Sequence, residues 1–428
     1  MPKLLIAVGE HVRCCLLPQG EEGSRTDKQS YFSAKLRAYF RYKGQQGEFF
    51  DEVAASNEVY KRFVVPLTEA HFIPVLFERD VATGNVVRAI QDTSVIIDYV
   101  EALHPSPSMT PASPTLRFVS YLLEVFGDEW MKFPAMHYRW SFPQNEKYLI
   151  HEWGRLAMPN LPAAERDAAV LAMNKGPSFS NMKRTLPVLG ITPDSVPGVE
   201  ATFVELLELL NDHLLVHDFI LGGTPSLADF AMYGPFFAHL YKDPVPSAIV
   251  RMRAPAVAEW IDRLSGVRPS TVRGKSIVPH ARNNAFVDPP HVARYGRVEA
   301  TGPFSEGGDA LPGSLERIVE FVFREHVPLL CSTCDVAAQW LVDNPAATAM
   351  PRGIGFHDFA IGGRVASRLA FAYDVWMTQR LMEHAAPCRE WIAQLPNGPR
   401  LLALDLDRTR LRLAKGAQLV VVARESKL

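Results

Sequence analysis

Pro74 interrupts a segment that otherwise has the composition of a strand, HFIPVLF at residues 71–77. Proline has no N–H to donate to a sheet ladder, and it is therefore excluded from central strands. One explanation is that the segment is an edge strand or a turn. The other is that the Ile73–Pro74 bond is a cis peptide that turns the backbone towards a ligand. The flanking sequence has to decide between the two.

Two predicted helix starts near this segment carry side chains that suit an anion. Ser30 and Ser33 lie one turn apart in SYFSAKLRAYFRYKG, and Asp92 and Thr93 directly precede SVIIDYV. A helix start combines unpaired N–H groups with a partial positive charge, which stabilises a thiolate or a carboxylate. The same residues are also ordinary helix caps. Taken alone, they leave both interpretations open.

The elements that would position these residues alternate over residues 30–105. The first predicted helix has Phe32, Leu36 and Phe40 on one face, and its charged residues, Lys35 among them, lie elsewhere. A strand over HFIPVLF is followed by a hairpin partner, VVRAI, and then by the helix TSVIIDYVEAL. The proline-rich segment HPSPSMTPASP is a linker, because its four prolines cannot continue a helix.

The rest of the chain is predicted to be mainly helical. Residues 115–266 have helical periodicity, and residues 267–313 are a connector rich in Pro, Gly, Arg and Asn. Beyond it, SLERIVEFVFREHVPLL and GRVASRLAFAYDVWMTQRLMEH are predicted as two further helices. The segment RLLALDLDRTRLRLAKGAQLVVVA changes to a period of two and predicts a small antiparallel meander.

Composition excludes several classes of protein. The chain has 428 residues, 47% of them hydrophobic and 21% charged, and a formal charge of −2, which fits a globular protein without a nucleic-acid surface. No apolar run approaches the roughly 20 residues that span a bilayer. The CSTC segment, Cys331 to Cys334, lacks a second cysteine pair and predicts two buried thiols rather than a metal site. We expect no metal.

Four segments together resemble the glutathione transferase superfamily. SYFSAKLRAYFRYKG resembles the first helix, IPVL the cis-proline strand, QDTSVIIDYVE the acid-plus-hydroxyl motif, and GGTPSLADFAMYG the capping segment of the helical domain. Each is weak alone, but their order and spacing over residues 30–265 are typical of the fold. In the last segment, Ser226 and Asp229 also match a capping box.

The resemblance implies a role for each candidate residue. Ser30 aligns with the position that activates the thiol of glutathione, Ser33 is a second hydroxyl, and Tyr31 is a rival for the activating role. The Ile73 main chain, freed by a cis Pro74, would pair with the cysteinyl part of glutathione. Asp92 would face the glutamyl amino group of glutathione, and Thr93 would face the glutamyl carboxylate.

The fold implied is an α/β thioredoxin-like domain followed by an all-α glutathione transferase C-terminal domain, then a mainly helical extension ending in a β meander. We place the first domain at residues 1–105, the second at 111–266, the connector at 267–310 and the extension at 311–428. The polar insert PQGEEGSRTDKQ separates the first strand from Ser30. Cys14 and Cys15 near the same sheet edge leave a cysteine-based chemistry open.

The function implied is activation of the glutathione thiol, with glutathione as co-substrate, for attack on a small hydrophobic electrophile. The reaction could be conjugation, as in detoxification, thiolytic cleavage or isomerisation. In the helical domain, Trp130 and Tyr138 are candidates for the electrophile pocket. A non-catalytic binding or scaffold protein of the same fold is the alternative, and a homodimer is compatible with either.

Cysteine usage and the C-terminus bear on localisation. Five cysteines without a recognisable secretory signal indicate a reducing compartment, so we expect a cytoplasmic protein. The terminal SKL matches a peroxisomal address and gives the alternative for a eukaryotic host.

Overall fold

The computed structural model describes residues 12–15, 30–43, 50–52, 60–70, 72–79, 86–158, 160–174, 177–266, 278–279, 286–287, 311–406 and 410–422. Three of the predictions above lie outside these residues: the insert at 18–29, most of the connector at 267–310, and the terminal SKL. Everything that follows concerns the described residues.

The N-terminal part contains a four-stranded sheet with the order β2-β1-β3-β4. Strand β1 is parallel to β2 and antiparallel to β3, and β3 and β4 form an antiparallel hairpin. This mixed topology is thioredoxin-like. The strands are β1 Val12–Cys15, β2 Phe50–Glu52, β3 Val75–Arg79 and β4 Val86–Gln91.

Strand β3 begins directly after Pro74. The proline therefore lies just before the strand, where its missing N–H does not interrupt the hydrogen bonds between strands. The Ile73–Pro74 peptide bond is cis, as is Ser106–Pro107 in the proline-rich linker. The hairpin partner VVRAI pairs as predicted, with Val75 opposite Gln91.

Two longer helices and a short one accompany the sheet: α1 Tyr31–Lys43, α2 Val65–Thr68 and α3 Thr93–Leu103. On α3, Ile96 and Val100 are buried. On α1 the charged residue Lys35 is fully buried. The helix packs between the sheet and the helical part of the chain, where Lys35 finds carboxylate partners on a neighbouring helix.

Nine helices follow the linker in the described residues up to 266. They are α4 Pro114–Val125, α5 Lys132–Ser141, α6 Pro143–Ala157, α7 Ala163–Asn174, α8 Pro177–Val188, α9 Val196–Leu214, α10 Leu227–Pro235, α11 Pro244–Arg253 and α12 Pro255–Gly266. Single π-helical turns extend α4 at Phe126–Trp130 and α10 at Phe236–Leu240. The predicted capping box starts α10, with the Ser226 N–H donating to Asp229 Oδ2 at 2.9 Å.

The C-terminal extension begins with two helices, α13 Gly313–Glu325 and α14 Val327–Asp343. The prediction that residues 363–384 form one helix was wrong. Residues Gly353–Ile361 and Arg364–Phe371 form a hairpin, β8 and β9, and the helix α15 covers only Ala372–Met382. The turn consists of Gly362 and Gly363, both with positive φ, which suits the tight turns that connect hairpin strands.

The predicted meander is present only in part. Strands β10 Leu411–Leu413 and β11 Leu419–Val421 pair across AKG, but the third strand is β7 Ala349–Met350. Residues 398–402 are helical instead, in α17 Gly398–Leu402, which follows α16 Arg389–Gln394. The connector contributes two short paired strands, β5 Val278–Pro279 and β6 Phe286–Val287.

The extension packs directly on the other two parts of the chain. Helix α9 passes the β8–β9 turn so closely that a Cβ added at Gly198 would lie 2.1 Å from the Ile361 carbonyl oxygen. Arg380 on α15 pairs with Asp98 on α3 and with Glu124 on α4, with N–O distances of 2.5 and 3.5 Å. One hydrophobic core contains residues from all three parts.

Candidate functional site

A cavity of about 280 Å³ lies where the sheet, the helical part and the extension meet. This volume is just below the range of about 300–1,000 Å³ that is usual for small-ligand pockets. Four of the predicted residues line it, namely Ile73, Pro74, Asp92 and Thr93. The extension supplies six further residues: Arg352, Phe371, Tyr373, Asp374, Ala417 and Leu419.

Ile73 precedes β3 at the edge of this cavity. Neither its N–H nor its C=O forms a backbone hydrogen bond with another described residue. The preceding residue, Phe72, is held by Gln91, whose side-chain amide donates to the Phe72 carbonyl at 2.6 Å. The Ile73 main chain is therefore positioned on a fixed edge and has hydrogen-bonding capacity left for a bound molecule.

Asp92 is the N-cap of α3, and its φ of 82° is unusual for a residue other than glycine. Its Oδ1 accepts from the N–H groups of Ser94 and Val95 at 2.9 and 3.2 Å. Its Oδ2 accepts a 2.6 Å hydrogen bond from the hydroxyl of Tyr373. Burial raises the pKa of Asp92, although the bond from Tyr373 and the charge of Lys35 oppose that rise.

Ser30, Tyr31 and Ser33 do not line the cavity. Ser30 Oγ donates to Ser33 Oγ at 2.8 Å, and Ser33 is fully buried. The Tyr31 hydroxyl donates to the Gly127 carbonyl, so it is directed at the helical part of the chain. Burial raises the pKa of Tyr31 well above its usual value. Ser30 and Tyr31 are partly buried, and the neighbouring Phe32 lines the cavity.

Arg352 brings a positive charge to the outer side of the cavity. Its guanidinium lies over the Phe72 ring, 4.2 Å from the centroid, within cation–π range. Burial lowers the pKa of Arg352, and no carboxylate of the described residues offsets that effect. The guanidinium is therefore available to a carboxylate of a bound molecule.

A buried ionic cluster lies beneath the cavity. Lys35 Nζ is 2.9 Å from Glu124 Oε1 and 2.6 Å from Asp128 Oδ2, and all three side chains are fully buried. Ser94 donates to the same Glu124 oxygen at 2.6 Å. Burial raises the pKa of Asp128, and the charge of Glu124 raises it further, whereas Lys35 opposes the rise. This cluster ties α1 to α4 and explains why a lysine is tolerated in the core.

Residues 193–263 match the family model described as "Glutathione S-transferase, C-terminal domain". This segment contains the capping box of α10 and follows a sheet of thioredoxin-like topology. This segment of the chain is similar to the C-terminal domain of glutathione S-transferases. No curated protein matches it in sequence.

Solved structures of glutathione transferases are similar only at a distance. The β-etherase LigF from Sphingobium sp. strain SYK-6 is 18% identical, with 61% of this chain and 97% of that chain covered and a TM-score of 0.38. A glutathione S-transferase from Methylobacterium radiotolerans, in complex with glutathione sulfonate, is 19% identical, with 61% and 92% covered and a TM-score of 0.34. One from Ceriporiopsis subvermispora, in complex with glutathione, is 15% identical, with 60% and 99% covered and a TM-score of 0.38. Structures this distant carry no argument about function.

Some residues of the site could not have been found from the sequence. Tyr373 and Arg352 lie more than 250 residues from the cis-proline strand, and no local motif marks either of them. Trp130 and Tyr138, the candidates for the electrophile pocket, are both buried and do not line the cavity. Trp130 stacks on Phe126, with the ring centroids 4.8 Å apart.

Within the described ranges, no group of three or more His, Cys, Asp or Glu side chains is placed to hold a metal ion. Over the same ranges, no helix combines the length and apolarity that a membrane crossing needs. Cys331 and Cys334 are buried on α14, and burial raises the pKa of Cys331 to about 11.

Proposed function

We propose that this chain binds glutathione in the cavity at the Ile73–Pro74 edge and activates its thiol for attack on a small hydrophobic electrophile. The observation that carries the proposal is that Ile73, Pro74, Asp92 and Thr93 line one cavity. An extended peptide can pair with the Ile73 main chain, and the start of α3 favours a carboxylate. In this proposal Thr93 faces the glutamyl carboxylate and Asp92 the glutamyl amino group.

Arg352, which the extension contributes to the cavity, supports the same proposal. Glutathione carries two carboxylates, and the start of α3 can accommodate only one of them. The unpaired guanidinium of Arg352 suits the second, at the glycyl end. The ligand would thus lie between the sheet edge and the extension.

Ser30 is proposed as the hydroxyl that stabilises the thiolate. It immediately precedes α1 and is bonded to Ser33, which fixes its side chain near the helix start. Because a hydrogen bond to a charged group contributes about 1.5–3 kcal/mol, Ser30→Ala should raise the pKa of the bound glutathione thiol by about 1–2 units. Glutathione affinity should change little, since the sheet edge and α3 supply most contacts.

The experiment is a titration of thiolate absorbance on the glutathione complex, together with calorimetric measurement of glutathione affinity. Ser113→Ala is the matched control, since Ser113 caps α4 with a bond to the Leu116 N–H and lies away from the cavity. Failure to bind millimolar glutathione would reject the proposal and favour the scaffold alternative. Binding with an unchanged thiol pKa in Ser30→Ala would remove Ser30 from the mechanism.

A further inference from the structure

Two buried carboxyl groups from different parts of the chain meet at the cavity. Glu129 lies in the π-helical turn after α4 and is 2% exposed, and Asp374 lies in the first turn of α15 and is 1% exposed. Both line the cavity. Neither has a role in glutathione recognition as proposed above.

Each carboxyl group has one oxygen paired with a cation. Lys132 Nζ is 2.6 Å from Glu129 Oε2, and an Arg368 guanidinium nitrogen is 2.8 Å from Asp374 Oδ2. The remaining oxygens, Glu129 Oε1 and Asp374 Oδ1, are buried and receive no hydrogen bond from any donor of the described residues. Buried carboxyl oxygens without a donor are costly unless a proton lies between them.

A hydrogen bond between the two side chains, which needs a proton on one of them, raises the pKa of Glu129 and lowers that of Asp374. Burial raises the pKa of Glu129, and the charge of Asp374 raises it further, while Lys132 opposes the rise. Burial also acts to raise the pKa of Asp374, but Arg368 and the bond from Glu129 hold it below its usual value. Glu129 therefore carries the proton, and Asp374 is the ionised partner.

The other ionisable groups that face this pair are weaker acids than a carboxyl group or hold no proton to donate at neutral pH. His326 is neutral, because burial lowers its pKa to about 3, and burial raises the pKa of Tyr373 well above its usual value. Tyr31 also faces Glu129, but its hydroxyl is bonded to a main-chain carbonyl. Lys132 and Arg368 complete the set as the basic partners of the two carboxyl groups.

We propose that Glu129 and Asp374 form a proton-donating carboxyl pair that protonates the leaving oxygen of an ether substrate. This inference rests on the proposed function and narrows its substrate class from electrophiles in general to aryl or alkyl ethers. An ether needs such a donor because an alkoxide or a basic phenoxide is a poor leaving group, whereas a halide leaves without a proton.

The proposed reaction forms one C–S bond and breaks one C–O bond. A lone pair of the glutathione thiolate forms the C–S bond, and the electron pair of the breaking C–O bond moves to oxygen. The Glu129 carboxyl proton is transferred to that oxygen, which leaves as an alcohol or phenol. Glu129 then takes up one proton from solvent. Glutathione released one proton to solvent when its thiolate formed, so the protons balance. No oxidant or reductant is needed.

The test compares an aryl ether of a basic phenol with an activated aryl halide, both with glutathione and the full chain. In Glu129→Gln the ratio of kcat/KM for the ether to kcat/KM for the halide should fall about 10²–10⁴-fold, the usual contribution of a general acid. Glu208→Gln, an exposed residue paired with Arg253, is the matched control and should leave the ratio unchanged. An equal loss with both substrates would indicate a structural role and overturn the proposal.

The wild-type protein supplies the remaining readouts, which hold even if the variant fails to fold. Ether turnover should decline as pH rises through the raised pKa of Glu129, while halide turnover should not. Infrared spectroscopy should show the carbonyl band of a buried protonated carboxylic acid, and its absence at neutral pH would overturn the proposal. Turnover of the halide without the ether rejects this inference alone; turnover of neither rejects the proposed catalysis as well.

Discussion

The hydroxyl of Tyr373 lies 2.6 Å from Asp92 Oδ2 and donates a hydrogen bond to it. A residue of the C-terminal extension thus completes the polar contacts of the carboxylate that caps α3. The proposed ligand brings an ammonium group to the same oxygen. We expect the hydroxyl and the ligand to compete for this oxygen.

Tyr373→Phe should show separately how the hydroxyl affects stability and how it affects glutathione affinity. Without the hydroxyl, the buried Asp92 loses a partner, and the free energy of unfolding of the free protein should fall by about 1–3 kcal/mol. Glutathione should bind about tenfold more tightly, because its ammonium no longer has to displace the hydroxyl. Chemical denaturation and titration calorimetry measure the two effects.

Tyr99→Phe is the control for removing a tyrosine hydroxyl bonded to a carboxylate. Tyr99 donates to Glu78 on β3, and neither residue lines the cavity. This variant should leave glutathione affinity unchanged. Weaker binding in Tyr373→Phe would mean that the hydroxyl contacts the ligand instead of competing with it.

Asp128 should make stability depend on pH in the acidic range. Burial raises its pKa from 3.8 to about 6, so the folded protein holds a proton that the unfolded chain releases at lower pH. The stability from this group is complete below about pH 4 and is lost as pH rises through about 6. The free energy of unfolding should therefore fall over this window, and Asp128→Asn should flatten that fall.

Denaturant titrations at pH 4, 5, 6 and 7 test this expectation. Asp335→Asn, an exposed residue paired with Arg400, controls for the introduction of an amide, and its slope should remain that of the wild type. A wild-type slope in Asp128→Asn would show that other groups set the pH dependence. Glu129, whose pKa burial also raises, adds a decline above its ordinary pKa that both variants retain.

Gly198 should tolerate no side chain. Its added Cβ would lie 2.1 Å from the Ile361 carbonyl oxygen, which is main chain and cannot rotate away. Gly198→Ala should lower the free energy of unfolding by about 1–3 kcal/mol or more, the usual cost of overpacking. Thermal and denaturant unfolding provide the measurement.

Gly266→Ala, at the end of α12, is the matched control because an added Cβ there meets no described atom within 4 Å. Its effect should stay within about 1 kcal/mol. If both alanine variants are equally stable, α9 and the hairpin turn are not as close in solution as they are here.

The sequence was most informative where local rules act. Proline before β3, the cap at Asp92, and the Ser226–Asp229 box each place an element start within a few residues, because caps and strand ends depend on neighbours in sequence. The resemblance then ordered these elements into a thioredoxin-like and a helical part. The roles of Ser30, Ser33 and the other site residues stay predictions.

Burial and pairing between distant residues could not be predicted from the sequence. Lys35 is polar at a helical position that suggests exposure, and only the distant Glu124 and Asp128 explain its place in the core. The hairpin β8–β9 was missed because RVASRLAF also fits a helical period, although the Gly362–Gly363 pair was a turn signal that periodicity overruled. Asp374 could be linked to Glu129 only once α15 was seen to pack at the cavity.

A single hydrophobic core joins Leu36 of α1, Phe203 of α9, Phe323 of α13 and Leu419 of β11. The residues after the connector therefore do not form an independent domain attached only through the connector. Proteolytic cleavage between residues 267 and 310 should not release them from the rest of the protein. The two fragments would still co-purify, held by the same interior that the intact chain has.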